Sequence, residues 1–301
     1  MVAADPATRY RARARSPQRP FVLTIVPPSS RMKKTRTPSR AAAVALDNEP
    51  RPFTLAGRTA LVTGSSRGLG KAIAFALGAA GAKVALNFAN GQEQADATFD
   101  EFAQRGYEGL LVRADVTNEK HVAKMCHAVS KRLGPIDIVV CNATPQQPQK
   151  PFELYDWAFH QQMLDFFLKS PVLLLREVLP QMKQRRFGRF VNIGSEVVRR
   201  GVPNFGPYVA AKGAQAAWSA SMATELAPWQ ITVNTVSPGW IPVERHANDA
   251  VEQKDAYKAL IPMRRWGVPA DVGGVVTFLA GDAAAFVTGQ DIAVNGGMTV
   301  G

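Results

Sequence analysis

Two cysteines, Cys126 and Cys141, and four histidines, at positions 121, 127, 160 and 246, are all that the 301 residues offer to a disulfide framework or a soft-metal site. Neither an HxxxH pair nor a paired-cysteine spacing occurs, so metal catalysis is not expected, and a reducing compartment, the cytoplasm, is. Long apolar runs are missing too. No stretch approaches the roughly 20 apolar residues that span a bilayer, and the longest early run, Phe21 to Val26, lacks a signal-peptide pattern. The expectation is a soluble protein with no membrane partner. Glycine is absent from the first 52 residues, which carry 8 prolines and 11 Lys or Arg against 3 Asp or Glu. That segment has no sustained period and cannot bury enough apolar surface to offset its ordering entropy, so it is read as a disordered basic extension. Three roles stay open for it: a transit-peptide-like leader, a polyanion-binding arm, or translation upstream of a later start such as Met32. It also holds most of the net charge of +12, since the other residues carry 25 basic against 21 acidic side chains. Nucleic acid is therefore not expected as a partner of the folded part.

What is present, from residue 53 to 301, is a regular alternation read as one domain. "TALVTG" is an apolar run ending in a glycine loop, and "KAIAFALGAAG" follows with helical period, closing at Gly81. Then come "KVALNF" as strand, a helix at 93–105, "GLLVRAD" as strand, a helix at 118–132, and "IDIVVCNA" as strand. A long helix near 155–184, the strand "GRFVNIGS", a helix containing "GPYVAAKGAQ" and the strand "ITVNTVSPG" continue the series. A helical excursion over 244–260 and a last helix and strand, ending at "DIAVNGG", complete it. Strands that are nearly all apolar and separated by helices are buried on both faces of a parallel sheet. The fold class is α/β: a single doubly wound parallel sheet of the Rossmann kind, about seven strands, with helices on both faces and ligands at the strands' carboxyl ends.

The glycine loop "TGSSRGLG" spans Thr63 to Gly70, with glycines at 64, 68 and 70, and it closes a strand and opens a helix. Glycine lets backbone approach a phosphate closely, and a helix N-terminus offers amides and partial positive charge to a pyrophosphate, so a dinucleotide is expected. An acid at the end of the second strand would bond the adenosine ribose and repel the phosphate of NADP. That end reads Leu86, Asn87, Phe88, with no acid, and Arg67 is available to a 2'-phosphate. NADP is expected in preference to NAD.

These motifs, with "ADVT" at 114–117, "CNA" at 141–143, "VNIGS" at 191–195, "YVAAK" at 208–212 and "SPG" at 237–239, resemble the short-chain dehydrogenase/reductase family in order and approximate spacing, over about residues 55–301. The C-terminal stretch from Ile261 looks like the branch holding 3-oxoacyl-[acyl-carrier-protein] reductases and glucose dehydrogenases. The resemblance implies an oxidoreductase that interconverts a carbonyl and a secondary alcohol, with Ser195, Tyr208 and Lys212 as its catalytic residues. Residue chemistry supports the pair independently. A tyrosine of pKa about 10 is too weak an acid by itself, and a lysine one helical turn on can favour its phenolate. Ser195, 13 residues before Tyr208, matches the serine that hydrogen-bonds the substrate oxygen. For the cofactor the resemblance implies Gly64, Ser66, Arg67, Gly68, Leu69 and Gly70 at the phosphates, with Asn87 at the end of the second strand. It implies Asp115 and Val116 at the adenine, Asn142 and Ala143 at the ribose, Tyr208 and Lys212 again, and Pro238, Gly239 and Ile241 at the nicotinamide. A homotetramer with long helices at its interfaces is implied as well.

Three departures stand out. The family's "NNAG" is Cys141, Asn142, Ala143, Thr144 here, so the glycine is gone and packing at the cofactor is expected to differ. The threonine four residues after "PG" aligns with Val243. An asparagine that, in the family, helps hold a water linking the lysine to solvent aligns with Phe167, in "LDFFLKSPV", and the local helix break that the amide stabilises is expected to be lost with it. A catalytically weakened NADP-binding scaffold is the alternative to an enzyme. The segment after Gly239, with Trp240, Arg245 and His246, is the candidate substrate lid, and Arg199, Arg200, Arg264 and Arg265 suit either an acyl-carrier protein or a solvated face. Sugars, small ketones and 3-oxoacyl thioesters all remain open as substrates.

Overall fold

Seven apolar runs lie side by side in the computed structural model of the protein, which describes residues 53–300; the basic extension 1–52 lies outside the described residues. The strands are β1 (Thr59–Val62), β2 (Lys83–Phe88), β3 (Gly109–Arg113), β4 (Ile138–Cys141), β5 (Gly188–Ile193), β6 (Ile231–Pro238) and β7 (Asp291–Val294). Their order is β3-β2-β1-β4-β5-β6-β7, and every pair is parallel. The chain winds outward in both directions from β1 and β4, so a crevice opens where the two adjacent strand ends diverge. The register sets Val62 beside Leu86 on one side and Val140 on the other, which brings those carboxyl ends level.

Helices cover both faces: α1 (Gly68–Ala79), α2 (Gln92–Gln104), α3 (Glu119–Leu133), α4 (Trp157–Leu164), α5 (Ser170–Arg185), α6 (Val197–Arg200), α7 (Gly206–Leu226), α8 (Val251–Leu260) and α9 (Pro269–Ala280). Successive strand residues point to opposite faces. Ala60 and Val62 pack with Ile73, Leu77, Val272 and Val276 of α1 and α9. Leu61, Val139 and Cys141 pack with Val122, Met125, Leu174 and Leu226 of α3, α5 and α7. Strands buried on two faces need apolar residues at every position, which is the pattern β1 and β4 show.

The single helix expected near 155–184 is broken. Between α4 and α5, Asp165–Lys169 forms a π-helical turn, so the local break expected to be lost is retained without an asparagine. Pro171 explains it. With no N–H, Pro171 cannot bond the carbonyl four residues back, that of Phe167, and its ring crowds that carbonyl, so the ladder shifts to the wider spacing. Phe167, 2% exposed, then packs with Met163 and Ala211. The expected excursion over 244–260 likewise divides into a 3₁₀ turn, Glu244–His246, and α8. The strands read as "GLLVRAD" and "IDIVVCNA" stop at Arg113 and Cys141. The residues beyond leave the ladder and line the crevice.

Candidate active site

The glycine loop joins β1 to α1 directly above the crevice. Gly64 has φ +62, and a Cβ there would lie 2.7 Å from the Ala143 Cα; a Cβ on Gly70 would lie 2.3 Å from Asn142 Nδ2 and from the Gly64 carbonyl. Both positions exclude any side chain. Thr63, fully buried, ties the loop to β4: its Oγ1 accepts from the amides of Asn142 (2.9 Å) and Ala143 (3.0 Å). Asn142 Nδ2 returns two bonds, to the carbonyls of Thr63 (2.9 Å) and Gly64 (3.0 Å). No side chain caps α1, and its first turn carries no acid, so its N-terminal field faces the crevice unopposed by its own residues.

Asn87 ties the loop to its neighbours. Its side chain is 1% exposed; Oδ1 accepts from the Gly64 amide (3.2 Å) and Nδ2 donates to the Ala114 carbonyl (3.0 Å). The amide is spent on holding the loop against β2 and β3 and is turned away from the crevice. Arg67 is exposed at the N-terminus of α1, and a second guanidinium, unnoticed in the sequence, lies beside the end of β2. Arg113, at the end of β3, donates Nε to the Ala89 carbonyl (3.1 Å), just past β2. Asp115 Oδ1 accepts from the Thr117 amide and hydroxyl, which shapes the turn after β3 beside the buried Val116. Thr144, where a glycine was expected, is exposed and is not among the non-glycine residues of positive φ, so no glycine is required there.

Ser195 follows β5, and Tyr208 and Lys212 lie one turn apart on α7. Burial pushes the Tyr208 phenol up, while the nearby Ser195 hydroxyl and the Arg245 charge pull it down. Lys212 is placed differently from the expectation. Its ammonium donates to the Ile193 carbonyl (2.5 Å) and to Gln215 Oε1 (3.2 Å), 3.9 Å from the Phe167 ring centre and 5.8 Å from that of Tyr208. Burial brings it down to about 7. The Cys141 thiol beneath it is pushed up by its own burial and stays neutral, so it supplies no counter-charge. The Arg245 charge also acts on the phenol, which spacing along α7 could not reveal.

The family model described as enoyl-(acyl-carrier-protein) reductase matches residues 64–299, from the first loop glycine to beyond β7. A 3-oxoacyl-[acyl-carrier-protein] reductase of Synechocystis sp. is 38% identical over 251 residues, 82% of this chain and 98% of the relative. A 2-dehydro-3-deoxy-D-gluconate 5-dehydrogenase of Formosa agariphila is 33% identical over 251 residues, 82% and 94% of the two chains. A solved 3-oxoacyl (acyl-carrier-protein) reductase of Agrobacterium tumefaciens C58 with NADP bound shares the fold at TM-score 0.76 and 32% identity, over 81% of this chain and 95% of that one.

The chain belongs to the short-chain dehydrogenase/reductase family. As a member, it is an oxidoreductase acting on carbonyl and secondary alcohol groups. In this short-chain dehydrogenase/reductase the segment after β6 folds back over the cofactor loop. A Cβ on Gly68 would lie 3.5 Å from Val243 Cγ2 and 3.6 Å from Glu244 Oε2. Pro238 and Gly239 end β6, the Glu196 amide bonds the Pro238 carbonyl (3.1 Å), and Ile241 is 7% exposed. Glu196, buried beside Ser195, accepts from the Tyr257 hydroxyl (2.5 Å) and Arg200 (2.8 Å), and the Trp240 amide donates to that hydroxyl (2.7 Å). This chain of bonds pins the lid to the serine loop. Trp240 meets Tyr257 and Trp266 edge-on, while Tyr257 and Trp266 stack at 5.6 Å. Among the described residues no helix is long and apolar enough to cross a membrane, and no group of metal-ligating side chains occurs. Of the side chains the sequence reading missed, Gln215 alone carried a local signal: it lies three residues after Lys212, on the same helical face.

Proposed function

We propose that the protein is an NADPH-dependent reductase of a small carbonyl substrate, with Ser195, Tyr208 and Lys212 as its catalytic residues. The observation that carries this reading is the convergence of Ser195, just past β5, on the Tyr208 phenol of α7, with Lys212 one turn on, in a chain whose first strand ends in the glycine loop. The donor set fits a phosphorylated dinucleotide: Gly64 and Gly70 without room for a Cβ, an uncapped helix N-terminus, and Arg67 and Arg113 near the end of β2, where no acid stands. Gly64, Ser66, Arg67, Gly68, Leu69 and Gly70 would hold the phosphates, Asp115 and Val116 the adenine, Asn142 and Ala143 the ribose, and Pro238, Gly239 and Ile241 the nicotinamide. When bound, the cofactor supplies the hydride that reduces the carbonyl carbon.

The chain's own residues handle the oxygen. Ser195 positions the carbonyl oxygen by hydrogen bond, and Tyr208 donates its proton to that oxygen as charge develops there. The neighbouring Ser195 hydroxyl and the Arg245 charge stabilise the phenolate left behind, against the desolvation that resists it. Lys212 would hold the nicotinamide ribose when the cofactor is bound. The lid segment, pinned through Tyr257 and Glu196, excludes water from the reacting centre. A homotetramer in the cytoplasm completes the reading, supported by the two buried free thiols and by family membership.

A scaffold that binds cofactor without turnover is the competing reading, favoured by Phe167 beneath Lys212. The deciding experiment mixes purified protein with NADPH or NADH and a panel of 3-oxoacyl thioesters, diketones, sugars and sugar acids, following nicotinamide absorbance. Turnover with NADPH that Tyr208→Phe abolishes is expected. Equal turnover in the variant removes Tyr208 as the acid, and cofactor binding with no turnover on any substrate leaves the scaffold.

A further inference from the structure

The Lys212 ammonium has three protons to place. One goes to the Ile193 carbonyl at 2.5 Å, one to Gln215 Oε1 at 3.2 Å, and its remaining side is turned to the face of the Phe167 ring, 3.9 Å from the centre. All of this happens out of water: Lys212 is 5% exposed, Phe167 2% and Gln215 1%. An ammonium over an aromatic face is held by the ring's quadrupole, more strongly when it is desolvated.

The Gln215 amide is itself oriented by a closed circuit behind it. Ser219 has one hydroxyl proton, and it goes to the Gln215 main-chain carbonyl at 2.7 Å. Ser219 Oγ therefore accepts, and Asn192 Nδ2 donates to it at 2.8 Å. That turns Asn192 Oδ1 toward Gln215, whose Nε2 donates to it at 3.5 Å. The Gln215 oxygen is then left facing Lys212. With Asn192 fully buried and Ser219 3% exposed, a flipped amide would set two donors, Nε2 and the ammonium, against each other in a dry site.

We propose that Gln215 is a positioning residue for Lys212, its amide oxygen and the Phe167 ring together forming a dry seat that holds the ammonium. The proposal rests on the reading of Lys212 as part of the catalytic set. The seat fixes the ammonium 5.8 Å from the centre of the Tyr208 ring. It also gives the lysine one acceptor that can be altered without touching the main chain. The other ionisable groups that face Lys212 are the Tyr208 phenol on its own helix, the Cys141 thiol at the end of β4 and the Arg245 guanidinium in the 244–246 turn. None of them supplies a counter-charge while the phenol and thiol are protonated, so the Gln215 oxygen bears directly on how long Lys212 stays charged as pH rises.

The test compares the wild type with Gln215→Leu, which removes the acceptor, and Gln215→Glu, which strengthens it. Two readouts are taken: the pH dependence of kcat and KM with NADPH, and the titration of the Lys212 Nζ by NMR of lysine-labelled protein, assigned with Lys212→Arg. A hydrogen bond to a charged group is worth about one pKa unit or more. Gln215→Leu is expected to lower both the Lys212 midpoint and the alkaline limb of kcat by about that amount, with substrate KM unchanged, and Gln215→Glu to raise both. If Gln215→Leu does not fold, Gln215→Met, unbranched and of similar length without the acceptor, takes its place. A Lys212 midpoint unmoved in all folded variants overturns the proposal, as does a loss of kcat uniform across pH, which packing alone would produce. The two readings fail separately. A wild type that turns over nothing while the Lys212 midpoint follows residue 215 keeps the seat and removes the reductase; turnover with an unmoved midpoint does the reverse.

Discussion

The Lys212 ammonium lies 3.9 Å from the centre of the Phe167 ring and 5.8 Å from that of Tyr208. The phenylalanine aligned with a polar residue of the family is therefore a partner of the lysine and not an inert replacement. The same ring meets Tyr208 edge-on at 5.3 Å, so one side chain supports both members of the pair.

Substituting Phe167 tests this support. Phe167→Asn removes a fully packed ring and buries an amide among Met163, Ala211 and Tyr208, and a loss of about 3 kcal/mol or more is expected in chemical denaturation. Activity is expected to fall with it. Phe167→Leu keeps most of the volume, so a smaller loss of stability is expected together with a lower Lys212 titration midpoint, because the ring face is gone. An asparagine variant as stable as the wild type and more active would show that the ring only blocks a proton path.

Lys212 also makes stability depend on pH. Its folded pKa, about 7, lies below the 10.5 of a free lysine, first because burial penalises the charge. Between those values the unfolded chain binds the extra proton, so this group makes stability rise with pH from about 7 upward and imposes its full penalty below. Lys212→Met is expected to flatten that rise by up to about 1.4 kcal/mol per pH unit. Urea denaturation of both proteins at pH 6 to 9 checks it. Parallel stability curves would mean that Lys212 keeps an ordinary pKa in the fold.

Charges at the cofactor mouth oppose one another. Glu244 Oε2 stands 3.6 Å from where a Cβ on Gly68 would lie, beside the N-terminus of α1, and so disfavours a pyrophosphate there. Glu244→Gln is expected to tighten NADPH binding by up to about fivefold, and Arg67→Gln to weaken it by a similar factor, both effects shrinking at high salt. Fluorescence titration of NADPH at two ionic strengths measures this. An unchanged Kd in Glu244→Gln would place the carboxylate away from the phosphates.

Much of the fold was legible because its signals are local. The alternation of apolar runs with helical period marked the strands and helices, and Gly64, Gly68 and Gly70 between a run and a helix marked the crevice. The break at Phe167 was missed: it was tied to the asparagine, whereas Pro171, four residues on, carries it. Asn87 shows the opposite case: its place at a strand end was visible, but the direction of its amide, inward to Gly64 and Ala114, depends on strands brought together by the fold.

By itself the sequence determined the parallel sheet, the loop, and the order in which Ser195, Tyr208 and Lys212 arrive, since periodicity and short spacings act through neighbouring backbone. Only the tertiary structure decided what surrounds them. Arg113 reaches Ala89 at the exit of the neighbouring strand, Arg245 acts on Tyr208 from the lid, and Phe167 and Gln215 meet Lys212 from two different helical segments. Which side chain ends beside a buried charge is set by the packing of distant segments, where desolvation makes each acceptor and each ring face count most.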